Sequence, residues 1–556
     1  GKTRVLTDRV ARLLLNGVEP QHVLCLTYTK AAASEMQNRL FQRLGQWAMK
    51  PDDDLRRDLL ELGELDLSAQ RLSRARQLFA RAIETPGGLR IQTIHSFCAS
   101  LLRRFPLEAG VPPGFTEMED RAAKLMRAEI VEEMADRLAP AAVLGLTKVH
   151  SGEDFASFVE QVSRHRASFS PPLDAKAIWG RYGLPYPVPA NHLLSIAFRG
   201  DERDLFDAAV PVLRGASPTM VTLGNSLAAI DLKTPTSQDL EMLFGAFLFQ
   251  KEGQARPEPK LASVPTKKAR EAMGEDLAAD FDDFMHRVAA AREAQLAARA
   301  AEKTLALHQF SGAFLPIYAA RKAARGQLDF EDLIERARTL LTDPGRAAWV
   351  LYRLDGGIDH ILVDEAQDTS PEQWQLIESL ASELISGQGA SNRSRTLFVV
   401  GDKKQSIYSF QGADVAAFDQ KRKLFAERLA GGEPLVDKVL AHSFRSSAAI
   451  LNVVDATFRG PNLDALGGEA RHVAYHESLP GRVEVWPVVE SPDKPAPEPW
   501  HTPVDRPNPE NADVVLARML AEWVRDQVQA GVQLPQVPKD GVTARPMRYG
   551  DVLFLV

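Results

Sequence analysis

Gly1-Lys2-Thr3 has the residue order that ends a phosphate-binding loop. In such a loop backbone N–H groups cradle phosphate oxygens, the lysine reaches the terminal ones and the hydroxyl holds Mg²⁺. The tripeptide alone is common, so its weight depends on its company. Ile361-Leu362-Val363-Asp364-Glu365-Ala366-Gln367-Asp368 supplies that company. Its three apolar residues read as a buried strand, Asp364 at the carboxyl end can hold Mg²⁺ through water, and Glu365 can orient and deprotonate an attacking water. The plainer reading of an Asp-Glu pair is an acidic loop capping a strand. In-line transfer of a phosphoryl group to water needs both carboxylates, and here they share a chain with Gly-Lys-Thr.

A third stretch runs from Gly401-Asp402 through Gln405-Ser406-Ile407-Tyr408-Ser409-Phe410. The Gln405 amide can contact a terminal phosphate, while Tyr408 and Phe410 can face a base. Stacking of that kind is worth ~1–3 kcal/mol per base and tolerates any sequence. The same alternation also suits ordinary core aromatics. Thr27-Tyr28-Thr29-Lys30 and Thr93-Ile94-His95-Ser96-Phe97 each close a strand, where small hydroxyls beside an aromatic can bind backbone phosphate and stack a base. His95 is given no acid or base role. Basic runs at Arg71, Arg74, Arg76 and Arg81, at Arg103-Arg104 and at Lys267-Lys268-Arg270 either track phosphates or are solvated helix faces. Arg445, in Ser443-Phe444-Arg445-Ser446, either reaches a phosphate across a cleft or merely precedes a helix over 448–458.

The elements that must position these groups alternate. Apolar spacing over residues 3–16 predicts a helix ended by Asn16-Gly17, and residues 22–29 a strand followed by a helix over 31–47. Residues 89–94, 361–363 and 397–400 are further short strands. Such continuous apolar runs separated by helices indicate an α/β fold, with parallel strands covered on both faces. Between residues 112 and 309 the strand signal fades into charged, Ala-rich segments such as 276–304, broken at Ser170-Pro171-Pro172 and Arg256-Pro257-Glu258-Pro259; this reads as a helical insertion. Residues 490–511, dense in Pro and charge, read as a linker.

Length and composition bound the function. A chain of 556 residues, 45% hydrophobic and 25% charged, is globular and holds several domains. Its net charge of -7 excludes binding of nucleic acid by bulk charge and leaves room only for a patterned basic groove. Cys25 and Cys98, the two cysteines, are too few for a disulfide framework, a four-cysteine zinc site or an iron–sulfur cluster. A cytoplasmic, reducing location fits. No run approaches the ~20 apolar residues of a membrane span, so no membrane partner is expected. The chain opens without an initiator methionine and stops at Asp551-Val552-Leu553-Phe554-Leu555-Val556, which reads as a strand, so an internal fragment is expected.

Taken in order, Gly1-Lys2-Thr3-Arg4, Leu26-Thr27-Tyr28-Thr29, Thr93-Ile94-His95-Ser96-Phe97, Leu328-Asp329-Phe330-Glu331-Asp332-Leu333, Val363-Asp364-Glu365-Ala366-Gln367-Asp368-Thr369, Gly401-Asp402 with Gln405-Ser406-Ile407-Tyr408, and Phe444-Arg445-Ser446 resemble the ordered motifs of the UvrD/Rep/RecB helicases of superfamily 1. The matches cover about residues 1–105 and 325–460 and leave the insertion without a motif. Glu35-Met36 with Arg39, the sizeable insertion and the phenylalanine at 444 are most similar to AddA, the helicase–nuclease component of bacterial double-strand-break repair.

The resemblance implies RecA-like P-loop NTPase motor domains with ATP and Mg²⁺ in their cleft and single-stranded DNA across their tops. The first motor domain would occupy residues 1–110 and 311–435, the helical insertion 111–310, and the start of a second motor domain 436–556. Gly1, Lys2 and Thr3 would bind phosphate, with Thr3 and Asp364 holding the metal. Glu365 would handle the catalytic water, Gln405 would sense the terminal phosphate and Arg445 would supply a cation. Arg4 and Phe444 would sandwich the adenine, and Tyr28, Thr93, His95, Tyr408 and Phe410 would line the DNA path. Implied too are 3′-to-5′ polarity, DNA ends as substrate, an AddB-type partner, and a nuclease outside these residues. Gln411 stands where many relatives carry an arginine, so a DNA phosphate contact there is lost. A polypeptide limited to these residues is expected not to turn over ATP, because the phosphate loop is incomplete. The other readings are a UvrD-like translocase without nuclease and a DNA-binding scaffold without ATPase; intact Lys2, Asp364, Glu365, Gln405 and Arg445 argue against the scaffold.

Overall fold

A computed structural model describes residues 1–85, 88–150, 154–189, 191–249, 257–355, 358–385, 395–407, 413–429, 434–459, 463, 471–490, 511–536 and 543–555. In chain order the strands that matter are β1 (Val23–Thr27), β2 (Arg90–Thr93), β3 (Thr116–Glu117), β4 (Gln327–Leu328), β5 (His360–Val363) and β6 (Thr396–Val399). Contacts divide the chain into two compact units, Gly1–Pro113 with Leu333–Val556, and Gly114–Asp332.

The first unit is built on a parallel sheet of order β2-β1-β5-β6. All five residues of β1 and all four of β5 are buried, which is why these segments are continuous apolar runs without alternation. On one face, the helix Lys2–Leu15 sets Leu6, Val10 and Leu14 at helical spacing against Val23, Cys25 and Leu362. Met36, Leu40, Leu44 and Trp47 of Lys30–Met49 join that core, with Leu72, Ala75 and Leu78 of Ala69–Glu84. Helix, strand, helix and strand therefore follow the expected α/β order.

Unit two is helical. Its longest element, Lys267–Ala324, is kinked where Gly274 adopts φ 77°, a left-handed value that glycine takes without penalty. Its aromatic residues feed two cores: Phe281 and Phe284 pack with Phe244 and Phe247, while Phe310 and Phe314 pack with Met126 and Ile130. The helix runs past residue 310, and the short parallel pair β3–β4 forms inside the same unit.

Beyond residue 433 the first unit carries small elements: a parallel pair His442–Ser443 with Val473–Ala474, helices Ala448–Thr457 and Ala512–Gln529, and an antiparallel hairpin Gln533–Gln536 with Thr543–Pro546. The expected terminal strand does not form. Asp551 closes a 3₁₀ turn, Tyr549–Asp551, and binds Arg545, while 552–555 pair with no strand among the described residues. An apolar run becomes a strand only beside a neighbour that accepts its backbone hydrogen bonds, and Leu555 is 89% exposed.

Candidate functional site

The sheet explains why residues far apart in sequence meet. Its strands are parallel, so their carboxyl ends lie along one edge, where ligands of open α/β sheets bind. Register sets Thr27 beside Thr93, Leu26 beside Val363 and Val363 beside Val399. The residues that follow are the expected ones: Tyr28 after β1, His95 after β2, Asp364-Glu365 after β5 and Gly401-Asp402 after β6. Thr93 caps the helix Ile94–Arg104: its hydroxyl accepts the Ser96 N–H at 3.1 Å and donates to Ser96 Oγ at 2.9 Å. Tyr28 and His95 are half-buried at this edge.

Asp364 is buried, and its N–H donates to the Leu26 carbonyl at 2.9 Å, continuing the ladder. Burial, reinforced by the neighbouring Glu365 carboxylate, raises the Asp364 carboxyl to about 6, against the opposing pull of the Glu365 N–H and Lys2. Glu365 has φ 49° and ψ 45°, the left-handed region, and among the described residues no other non-glycine residue has positive φ. Such a conformation costs ~1–3 kcal/mol and persists only where the surroundings impose it. The imposing contacts are visible: the Lys2 ammonium pairs with Glu365 Oε2, and the Gln367 amide donates to the same oxygen at 2.8 Å. Gln367 in turn accepts the Asp402 N–H at 2.8 Å, and Gln405 Nε2 donates to Asp402 Oδ2 at 2.9 Å. Lys2, Glu365 and Gln405 thus belong to one chain of contacts, with Asp364 beside it.

Arg445 is exposed. Arg4 lies 3.8 Å from Asp8, and the Phe444 ring packs 4.3 Å from that of Tyr475, a neighbour the sequence did not suggest. Tyr408, Phe410 and Gln411 lie outside the described residues.

The basic run on Ala69–Glu84 is largely neutralised. Arg71 pairs with Glu64, Arg76 with Asp52 and Arg81 with Glu19, each at 2.6 Å, so these arginines staple the unit and are not left to track phosphates. Arg270 is likewise held by both oxygens of Asp282.

A cation fits the carboxylate pair. Asp364 is buried, one ammonium serves the two acids, and Asp368 Oδ1 is buried with no hydrogen-bond partner among the described residues. No group of three or more His, Cys, Asp or Glu able to hold a metal occurs among the described residues. Mg²⁺ is commonly held by one or two carboxylates plus substrate phosphates. No helix among the described residues is long and apolar enough to cross a membrane.

Comparison with known proteins agrees with this geometry. The family model for the UvrD/REP helicase N-terminal domain matches residues 1–426. The chain is 29% identical over 517 residues to the A subunit of the ATP-dependent helicase/nuclease of Desulforudis audaxviator, covering 84% of this chain and 38% of that protein. The protein of the same name from Pediococcus pentosaceus is 25% identical over 489 residues, covering 82% and 36%, and that from Staphylococcus carnosus is 22% identical, covering 100% and 44%. The chain therefore spans less than half the length of these relatives. With a parallel sheet that gathers Lys2, Asp364, Glu365 and Gln405 along its carboxyl edge and a family model matched over most of its length, this chain belongs to the UvrD/Rep helicase family.

Proposed function

We propose that this chain is the leading motor segment of an AddA-type helicase–nuclease, which uses ATP to move 3′-to-5′ along single-stranded DNA during double-strand-break repair. The observation that carries the reading is the contact chain Lys2–Glu365–Gln367–Asp402–Gln405 at the carboxyl edge of the sheet. It connects the groups suited to gripping a phosphate with those suited to activating water. Lys2 exchanges its Glu365 partner for the terminal phosphates when nucleotide enters. Glu365, released from the ammonium, orients the attacking water and takes its proton. The Gln405 amide contacts the terminal phosphate, and Arg445 offers a cation that neutralises developing charge. Thr3 and Asp364 would hold Mg²⁺, which when bound neutralises charge on the phosphate oxygens. Arg4 and Phe444 flank the adenine. Tyr28, Thr93 and His95, with Tyr408 and Phe410, face the DNA. The protein works on DNA ends beside an AddB-type partner in the bacterial cytoplasm.

The test is ATP turnover by the full-length protein with and without single-stranded DNA. Stimulation by DNA that is lost in Glu365→Gln supports the reading; a Glu365→Gln variant at the wild-type rate rejects it. A nuclease assay on the same protein separates the AddA-type enzyme from a UvrD-like translocase.

A further inference from the structure

Gln367 is almost wholly buried, 1% exposed, and its side-chain amide makes three hydrogen bonds. Its Nε2 donates to Glu365 Oε2 at 2.8 Å and to Asp368 Oδ2 at 3.2 Å; its Oε1 accepts the Asp402 N–H at 2.8 Å. The amide has one orientation. Turned over, its oxygen would face two carboxylates and its NH₂ would face an N–H, three repulsive pairs in place of three bonds. The two ends of this amide reach two different segments. One is the turn after β5 that carries Glu365, and the other is the turn after β6, where Asp402 accepts from Gln405 at 2.9 Å. A second bond joins the same turns, from the Ala366 N–H to the Val400 carbonyl at 3.1 Å. Gly401 completes the fit: a Cβ there would stand 3.1 Å from Gln367 Oε1 and 3.0 Å from Phe418 Cε2, so the β6 turn approaches the amide as closely as it can.

We infer that Gln367 is a positioning residue that ties the carboxylate of Glu365 to the Gln405 turn, so that water activation and terminal-phosphate contact are set together. This rests on the ATPase reading above. The bonds of the Gln367 amide all go to protein groups. It holds Glu365 Oε2 at a fixed point while Lys2 leaves for phosphate, and any movement of the Asp402–Gln405 turn displaces the same amide. The Glu365 carboxylate then has its productive placement only when the Gln405 turn is in register.

The test uses the full-length protein and reads DNA-stimulated ATP turnover, KM for ATP and melting temperature. Gln367→Ala is expected to lower kcat by about 10–100-fold, as loss of a supporting hydrogen-bond partner does elsewhere, while KM for ATP stays within ~3-fold. Gln367→Glu keeps the shape but turns a carboxylate toward Glu365 and Asp368; it should lose turnover at least as heavily, and the melting temperature shows how much of that loss is stability. The deciding measurement is the cycle with Gln405→Ala. If the two glutamines act as a unit, the double variant loses barely more than either single one. Losses that multiply, a loss confined to KM, or wild-type turnover in Gln367→Ala would overturn the assignment. Glu365→Gln run alongside separates the two levels. If it is inactive while Gln367→Ala turns over normally, this assignment alone fails. If it too turns over normally, the ATPase reading fails and takes this inference with it.

Discussion

Lys2 and Glu365, 363 residues apart in the chain, form an ion pair at the carboxyl edge of the sheet. The pair is half-sheltered, with side-chain exposures of 15% and 31%, so each charge is held by the other and neither is stranded in the interior. An ammonium that a nucleotide phosphate can take over must be detachable, and partial exposure keeps it so. Lys2→Ala should therefore abolish nucleotide binding in the full-length protein. Glu365→Gln should leave binding intact while reducing turnover by about 10²–10⁴-fold, the usual worth of a positioned general base. Titration with a fluorescent ATP analogue, alongside steady-state hydrolysis, distinguishes the two losses.

The backbone of Glu365 makes a separate prediction. At φ 49° its Cβ crowds the following carbonyl, an arrangement that costs an L-residue roughly 1–2 kcal/mol and glycine almost nothing. Glu365→Gly and Glu365→Ala both delete the ion pair and the Gln367 bond, so their difference isolates the strain. The glycine variant should melt higher even though glycine has more unfolded-state entropy to lose. Equal melting temperatures would mean that the turn relaxes when the side chain goes.

Much of this arrangement was legible in the sequence because it depends on local pattern. Continuous apolar runs announced β1, β5 and β6, and Asp364-Glu365 directly follows β5. The role of Gln367 was hidden: the Asp402 N–H that it binds lies 35 residues away and comes within reach only after β6 pairs with β5. The left-handed backbone of Glu365 carries no signal in residue type. At Arg71 two readings stayed open, since helical spacing shows a basic face but cannot show Glu64 folding back to cover it.

Gly401 allows close approach without needing an unusual φ, and that gives it a sharp test. Alanine there would place its Cβ 3.1 Å from Gln367 Oε1 and 3.0 Å from Phe418 Cε2, closer than ordinary van der Waals contact. The phenylalanine or the amide must yield. Overpacking of this kind typically costs about 1–3 kcal/mol. Because the amide supports Glu365, Gly401→Ala should also slow ATP turnover by roughly 10-fold or more, on the scale by which small misplacements damage catalysis. Unchanged turnover with a lowered melting temperature would show that Phe418 alone moves.

The second unit holds a charged cluster whose pH response is calculable in sign. Lys322, 4% exposed, lies 2.5 Å from Asp329 Oδ2 and from Asp332 Oδ2, and Arg166 approaches the same two acids at 3.2 and 3.0 Å. Burial favours the neutral form of Asp329, but the Lys322 and Arg166 charges outweigh it and hold that carboxyl well below the ordinary range. Burial and the Asp329 charge instead push Asp332 up, and Glu331 rises for the same two reasons. A depressed folded-state pKa means that the Asp329 contribution is present above 3.8, its unperturbed value, and disappears as pH falls through the lower folded one. Asp332 and Glu331 act in the opposite sense, favouring the folded state while protonated and losing that contribution as pH rises, so they blunt the acid sensitivity. Lys322→Met removes the shared cation and leaves Asp329 buried beside Arg166 alone. At neutral pH the loss should be about 3–5 kcal/mol, the usual cost of breaking a buried pair from one side. Below the carboxylate range it should shrink, because Asp329 can then take up a proton and shed the stranded charge. Urea unfolding of both proteins at neutral and acid pH gives the comparison, and a loss of equal size at the two pH values would show that Lys322 acts through its cation–π contact with Tyr318, whose ring centroid lies 4.4 Å from its ammonium, and not through the Asp329 carboxylate.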